Sequence, residues 1–267
     1  MTGGNGEDAA WERILQTRER LGMPRTPGDG SDRLREPADG GHSQLESIYL
    51  PLLRGGGLVI AQLGQTLDGR IATRTGHSHF VTGPADIVHL HRLRALVDTV
   101  VVGAGTAISD DPQLTVRQVP GRNPVRVVLD PSARVPPDRR MFHDHLAPTL
   151  WFVSPQADPG PVPGGVELLR LEVGPTGCGF HPRDVLRALV ARGLERVLVE
   201  GGGITVSRFL DAGVLHRLHV TVAPLLLGSG RPSLTLDPVD RLDQARRPSC
   251  RQFSLGDDVL FDLEFDP

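Results

Sequence analysis

The chain has 267 residues, enough for one large domain or two small ones with a sizeable core. All 29 of its basic residues are arginine, and its 32 acidic residues leave a net charge of −3, so there is no electrostatic footprint for nucleic acid and no lysine for a Schiff base or a P-loop. Two distant cysteines, Cys178 and Cys250, argue against a disulfide framework and for a reducing, cytoplasmic setting, and no apolar run reaches the roughly 18 residues of a membrane span.

Residues 1–57 are rich in Gly, Pro, Asp and Arg and read as a partly ordered arm, with a weak helix over 9–21 and an apolar segment over 48–53. Such an arm docks on the body or on a partner subunit, or covers a substrate as a lid. Gly55, Gly56 and Gly57 mark the boundary to a body spanning 58–267. Leu58–Leu63 is predicted as a strand, 64–70 as a loop or irregular strand end, and 76–80 as a polar turn. Thr82-Gly83-Pro84 opens a helix that runs to about Val97, with proline near the first turn and apolar positions at Val88, Leu90, Leu93, Leu96 and Val97. The β-branched run Thr99–Val102 is a buried strand that stops at the turn Gly103-Ala104-Gly105-Thr106. A loop carrying Asp110, Asp111, Pro112 and Arg117 follows. Further strands are expected over 125–129, 149–153, 166–171, 196–199 and 218–223, and helices over 183–192 and 204–212. The segments 250–255 and 259–265 read as a hairpin. Strands alternating with helices and ending in a hairpin predict an α/β fold, mostly parallel with an antiparallel end.

Two glycine turns end buried strands, Gly103–Thr106 and Glu200–Ser207. The second, Gly201-Gly202-Gly203 running into Ile204, Thr205, Val206 and Ser207, opens a helix directly. Free N–H groups and the helix dipole make such a start an anion site, with the Thr205 and Ser207 hydroxyls as added donors. An ordinary dinucleotide fingerprint is not complete, because Gly103-x-Gly105 lacks its third glycine, although Asp130 ends a strand where a ribose-binding acid stands in such folds. One guanidinium and two carboxylates within a dozen residues, at Asp110, Asp111 and Arg117, suit a phosphorylated substrate beside a nucleotide. No metal is expected: His77/His79 and His89/His91 are spaced i, i+2, and 89 and 91 on a helix point to different faces, so these histidines read as surface residues.

Taken in order, Leu67-Asp68-Gly69-Arg70-Ile71-Ala72, Gly76-His77-Ser78, His91-Arg92-Leu93-Arg94, Gly103-Ala104-Gly105-Thr106, Asp110-Asp111-Pro112-Gln113-Leu114-Thr115-Val116-Arg117, Glu200-Gly201-Gly202 and Ala223-Pro224-Leu225-Leu226-Leu227-Gly228 resemble the riboflavin-biosynthesis pyrimidine reductases. The resemblance implies a dihydrofolate-reductase-like, three-layer αβα fold and hydride transfer from NADPH to C1′ of the ribosylamino group of a pyrimidine 5′-phosphate. The ring would be a uracil or its 2,5-diamino-pyrimidinone precursor. It further implies that Ser78, Arg94, Leu114, Arg117 and Glu200 contact substrate, with Arg94 and Arg117 as the phosphate clamp. Gln62 stands where bacterial members often carry lysine, facing the pyrimidine, and an amide there offers both a donor and an acceptor.

By the same resemblance Gly64, Phe80, Gly103, Thr106, Asp110 and the turn from Gly201 to Arg208 hold the cofactor, with Ser132 and Arg134 on its 2′-phosphate. Glu200 is the first candidate for a catalytic carboxylate and Asp110 the second. The family's deaminase domain has no counterpart in 1–57, so a reductase without it is implied, acting on a small phosphorylated molecule and forming a homodimer. Two rivals remain. One is a same-fold NADPH reductase of a pteridine, of dihydrofolate or of a specialised metabolite, and the other is a nucleotide-binding module that transfers no hydride.

Overall fold

The computed structural model describes residues 4–21, 43–78, 81–174, 177 and 179–267. The described residues fall into two compact units that divide between Gly56 and Gly57. In the first, helix α1 (Gly4–Leu21) begins five residues earlier than the apolar pattern marks, and α2 (Gln44–Tyr49) starts at a capping box in which Ser43 and Glu46 satisfy each other's backbone N–H. Arg13 reaches the same Glu46, and Trp11 meets Tyr49 edge to face at 5.6 Å.

The second unit runs β1 (Leu58–Thr66), β2 (Arg70–Thr73), α3 (Pro84–Leu96), β3 (Thr99–Gly103), α4 (Ala104–Asp110), β4 (Val125–Leu129), β5 (Thr149–Val153), β6 (Val166–Arg170), α5 (Pro182–Val190), β7 (Arg196–Glu200), α6 (Gly203–Asp211), β8 (Arg217–Ala223), β9 (Gly230–Pro232), β10 (Ser249–Leu255) and β11 (Asp258–Glu264). Nine of these strands form one sheet in the order β10-β11-β8-β1-β7-β3-β4-β5-β6. The seven from β8 to β6 are parallel, and β11 and β10 close one edge as an antiparallel hairpin. The expected α/β class, with its antiparallel end, is the observed one.

Three elements of this unit were not expected. The segment read as a turn and loop, 104–110, is helix α4. Ala104, Thr106 and Ala107 tolerate a helix, and the one turn needing special backbone geometry is postponed to Asp111, which ends α4 at φ +41. Strands β2 and β9 form a separate two-stranded ribbon, too short to be legible as a period.

Side-chain alternation puts the two faces of the sheet to different use. Val59, Ala61, Val197, Val199, Val101, Leu218 and Val220 point to an aliphatic core closed by Val185 and Leu189 of α5 and by Val206 and Phe209 of α6. The opposite face, under α3, carries a polar row. Register aligns Arg251, Asp262, His219, Gln62 and Glu200, one from each of five neighbouring strands. Helix α3 answers with Asp86, His89 and Arg94, all buried, while Val88 and Leu90 are only half-buried. The apolar positions expected on α3 are therefore only part of its inward face. His89 and His91 are buried at 0% and 2% exposure rather than on the surface, because β8 supplies His219 to the first and the loop after α4 supplies Arg117 N to the second.

His89 Nε2 lies 3.0 Å from His219 Nδ1 in a stacked pair, and His219 Nε2 faces the Asp262 carboxylate at 3.2 Å. Arg217 and Arg251 also pair with Asp262. Burial, then the charges of His219 and Arg92, hold the His89 imidazole well below its usual value. Burial alone would raise the Asp262 carboxyl, but the His219 hydrogen bond and charge and the Arg217 guanidinium outweigh it and hold the group far below the carboxylate range. Both shifts act the same way. His89 is neutral in the fold and takes up a proton on unfolding, so its contribution is complete above about pH 6.5 and declines below it. Asp262 is ionised in the fold, so its contribution is complete above about pH 4 and is lost on further acidification. The midpoint of thermal unfolding is expected to fall steadily between about pH 7 and pH 4, less steeply between about 7 and 5 in His89→Phe. Calorimetry across that range checks it, and a flat profile would contradict the buried chain.

Candidate active site

A cavity of about 1010 Å3 opens at the carboxyl ends of β1, β3, β4 and β7, the place where parallel α/β sheets take ligands. The two glycine turns meet there, because β3 and β7 are neighbours. Gly202 N donates to Thr106 Oγ1 at 3.0 Å. A Cβ on Gly103 would stand 2.6 Å from Thr205 Oγ1, and one on Gly201, which has φ +93°, 2.7 Å from Thr106 Oγ1. Glycine is thus needed at both tips for the turns to lie against each other. Helix α6 starts at this contact with Gly202 as its cap and no side chain bonded to its first N–H groups, which leaves them directed at the cavity. Gly203, Ile204 and Thr205 line the wall, whereas Val206 is in the core and Ser207 is buried with its Oγ accepting from Thr235 N. The hydroxyl expected to face a ligand at Ser207 is used to pin a loop.

At the far end, past β4, Ser132 and Arg134 line the cavity, joined by Arg208 of α6, whose guanidinium fits where Gly179 lacks a Cβ. Asp130 faces away from the cavity. It is fully buried and accepts from Arg134 N, Val135 N and Trp151 Nε1, so it caps a turn. At the other end stand Gln62, Gly64 and Ser78. Phe80 lies outside the described residues.

Glu200 and Arg94 are joined to each other, 106 residues apart in sequence. Nε donates to one carboxylate oxygen and Nη2 to the other, both at 2.7 Å, with the side chains 7% and 6% exposed. Arg94 Nη1 donates to Thr115 O. Three of the five guanidinium N–H groups are engaged in these bonds, which leaves two for a ligand.

Thr115 belongs to the loop after α4, in which Asp111 (φ +41°) and Leu114 (φ +55°) occupy the left-handed region that non-glycine residues rarely visit. Side chains from elsewhere hold it there. Arg140 bonds Asp111, buried Arg126 donates to Gln113 O, Asn123 accepts from Val116 N, and His91 Nδ1 accepts from Arg117 N. Leu114, 1% exposed, and the exposed Asp110 line the cavity. Arg117 does not. It is exposed, with Nη1 on Thr115 Oγ1, and burial, then the charges of Arg94 and Arg140, push its guanidinium below the usual value. Burial, then the charges of Arg94 and Arg117, push His91 down to about 4, so it is neutral and free to accept.

Asp86, His91 and Arg126 were missed from sequence. An acid in a first helical turn and a histidine on a helix are ordinary, and Arg126 sits mid-strand where nothing marks it as the anchor of a loop.

Adjoining glycine turns at neighbouring strand tips, an uncapped helix start and an ion pair facing one cavity define an α/β oxidoreductase of the nicotinamide-dependent kind. The chain belongs to the RibD C-terminal domain family, whose model matches residues 58–254. It is 38% identical over 212 residues to the 2,5-diamino-6-ribosylamino-4(3H)-pyrimidinone 5′-phosphate reductase of Methanothermobacter thermautotrophicus, covering 76% of this chain and 95% of that protein. It is 34% identical over 178 residues to the riboflavin biosynthesis protein RibD of Mycobacterium tuberculosis, where it covers 65% of this chain and 43% of that protein. A solved Thermotoga maritima deaminase/5-amino-6-(5-phosphoribosylamino)uracil reductase superposes with a TM-score of 0.68 at 28% identity, covering 79% of this chain and 57% of that one. The chain thus spans nearly all of the archaeal relative and about half of the bacterial ones. Among the described residues no helix is long and apolar enough to cross a membrane.

Proposed function

We propose that the protein reduces the ribosylamino group of a pyrimidine 5′-phosphate to a ribitylamino group at the expense of NADPH. The observation that carries this is the single cavity in which two glycine turns, the α6 start and the Arg94–Glu200 pair converge, in a chain matching an archaeal pyrimidinone 5′-phosphate reductase almost end to end. The residues fit the cofactor. Glycine-lined tips allow close approach of a pyrophosphate, α6 offers N–H groups that no side chain caps, and Arg134 and Arg208 flank Ser132 for a 2′-phosphate. When bound, the nicotinamide supplies the hydride. The protein's part is to hold the acceptor carbon against it in a water-poor slot, and Leu114 and Gly64 shape that slot. Glu200, kept beside the reacting region by Arg94, balances positive charge that develops on the sugar carbon, with Asp110 the second carboxylate at the wall. The free N–H groups of Arg94 receive the substrate phosphate, Arg117, outside the cavity wall but bonded to the same Thr115, adds its charge to them, and Ser78 closes that end. The uncovered apolar face of β8 and β11, around Val222, Val259 and Phe261, supports a homodimer. Sedimentation of the purified chain tests that state.

The reaction is tested by following the absorbance of reduced nicotinamide with each ribosylaminopyrimidine phosphate and with dihydrofolate. Consumption with a ribosylaminopyrimidine phosphate alone is expected, and turnover of dihydrofolate in its place would overturn the proposal. In Arg117→Ala the KM for the pyrimidine is expected to rise about tenfold or more while NADPH affinity stays within about threefold. Equal losses for both ligands would remove the phosphate role.

A further inference from the structure

Besides Arg94, Arg134 and Arg208, one more arginine lines the cavity, Arg231 of β9. Its guanidinium lies over the backbone of Gly76, which lines the cavity as well, with Ser78 two positions further on. A Cβ built on Gly76 would stand 2.9 Å from Nη2, 3.3 Å from Cζ and 3.7 Å from Nη1. Gly76 also has φ +96°, so a side chain there would be strained and would take the guanidinium's place. Among the described residues the exposed Arg231 side chain has no hydrogen-bond or ion-pair partner.

The backbone beneath Arg231 is fixed on two sides. On one, Ala72 is its partner in the β2–β9 ribbon, and Ser233 N donates to Gly69 O at 3.1 Å. The turn after β2 that carries Gly76 is closed by Thr73 N on His77 O at 2.9 Å, by Gly76 N on Thr73 O at 3.0 Å and by His77 N on Thr73 Oγ1 at 3.0 Å. On the other side, the carbonyls of Pro232 and Ser233 lie against Gly203, the first residue of α6, where any Cβ would collide with Ser233 O. Thr235 N then donates to Ser207 Oγ, one helical turn along. The ribbon is thus seated on the helix start whose first N–H groups carry no side-chain cap. Arg208 is set in the same manner in the same cavity, with its guanidinium over Gly179 at φ +122°.

An arginine side chain brings a cation and five donors in a planar fork, and laying it over bare glycine backbone uses none of them. Such a fork is complementary to phosphate oxygens, which it takes two at a time. Of the other cavity arginines, Arg94 is paired with Glu200, and Arg134 and Arg208 stand at the far end beside Ser132. We infer that Arg231 is a ligand-binding residue that takes phosphate oxygens at the ribbon side of the cavity, where β9 is seated on the start of α6. This rests on the reaction proposed above, which offers two sources of such oxygens, the pyrophosphate of the dinucleotide and the 5′-phosphate of the pyrimidine. The seat on α6 favours the first, because the uncapped N–H groups of that helix are there to share the charge.

The test is direct binding to the full chain by titration calorimetry, with NADPH, with NADH, with a ribosylaminopyrimidine 5′-phosphate and with the same pyrimidine lacking its phosphate. In Arg231→Ala the Kd of a phosphate-bearing ligand is expected to rise about tenfold. A rise shared by NADPH and NADH assigns the pyrophosphate. A rise for the phosphorylated pyrimidine but not for its unphosphorylated form assigns the 5′-phosphate. Arg231→Lys keeps the charge without the fork and is expected to lose less, about threefold. Gly76→Ala, which displaces the guanidinium, is expected to match Arg231→Ala although the arginine is still present. The unfolding midpoint of Arg231→Ala is expected to stay within about 2 °C of the parent, since an exposed side chain bonded to nothing is removed. Affinities within about threefold for every ligand in Arg231→Ala overturn the assignment and leave the reaction in place. A loss for NADPH that NADH does not share, or equal losses for the two forms of the pyrimidine, overturns it likewise. Turnover of no ribosylaminopyrimidine phosphate by the wild-type protein overturns the reaction, and this assignment with it.

Discussion

Glu200→Ala is expected to lower the midpoint of thermal unfolding by roughly 6 to 20 °C and to abolish turnover. The two charges of this pair are nearly out of solvent, and each satisfies the other through two 2.7 Å bonds. Removing the carboxylate strands a buried guanidinium, a situation that costs about 3–5 kcal/mol, and each kcal/mol moves the midpoint of a domain of this size by about 2–4 °C. Arg94→Ala should be as severe for a second reason. It strands Glu200, and it releases Thr115 O, one of the ties that keep Leu114 in its left-handed conformation at the cavity. The double variant Arg94→Met/Glu200→Leu leaves no orphan charge and should unfold well above either single variant, while remaining inactive. Calorimetry with activity on the same preparations decides it. Additive losses, or single variants within about 2 °C of the parent, would show that the pair carries little.

The second large effect is on the choice of cofactor. Among the described residues the side chains of Arg134 and Arg208 have no hydrogen-bond or ion-pair partner, although both line the same end of the cavity as Ser132. The acid that might have bound a free ribose hydroxyl, Asp130, is turned inward and engaged by three donors. That end of the cavity is therefore positive and ready for a phosphate. Each charge-assisted contact is worth about tenfold in affinity. The double variant Arg134→Ala/Arg208→Ala is then expected to raise the KM for NADPH about 100-fold while changing that for NADH less than about threefold. Parallel losses with both cofactors would place the 2′-phosphate elsewhere.

Much of this site was visible as punctuation. Runs of Val and Ile that stop at glycine locate the tips of β3 and β7, and the residues at those tips line the cavity. The Asp110–Arg117 stretch was legible as a special loop, although the first part of what precedes it is a helix and the arginine that ends it stands outside the cavity wall. What misled was the ordinary expectation for charge on a helix. Asp86, His89 and Arg94 recur on α3 at spacings that fit a wetted face as well as a buried one, and no local signal distinguishes the two.

By itself the sequence determined where the chain extends, where it turns and which residue types stand at each strand tip, because β-branched runs, glycines and prolines act within a few residues of themselves. Only the tertiary structure decided which charges and hydroxyls are paired. Those outcomes depend on partners brought together across the sheet from more than a hundred residues away, as with Arg94 and Glu200 or Asp86 and Thr221. A buried polar group takes its role from whatever donor or acceptor the opposing strand happens to supply.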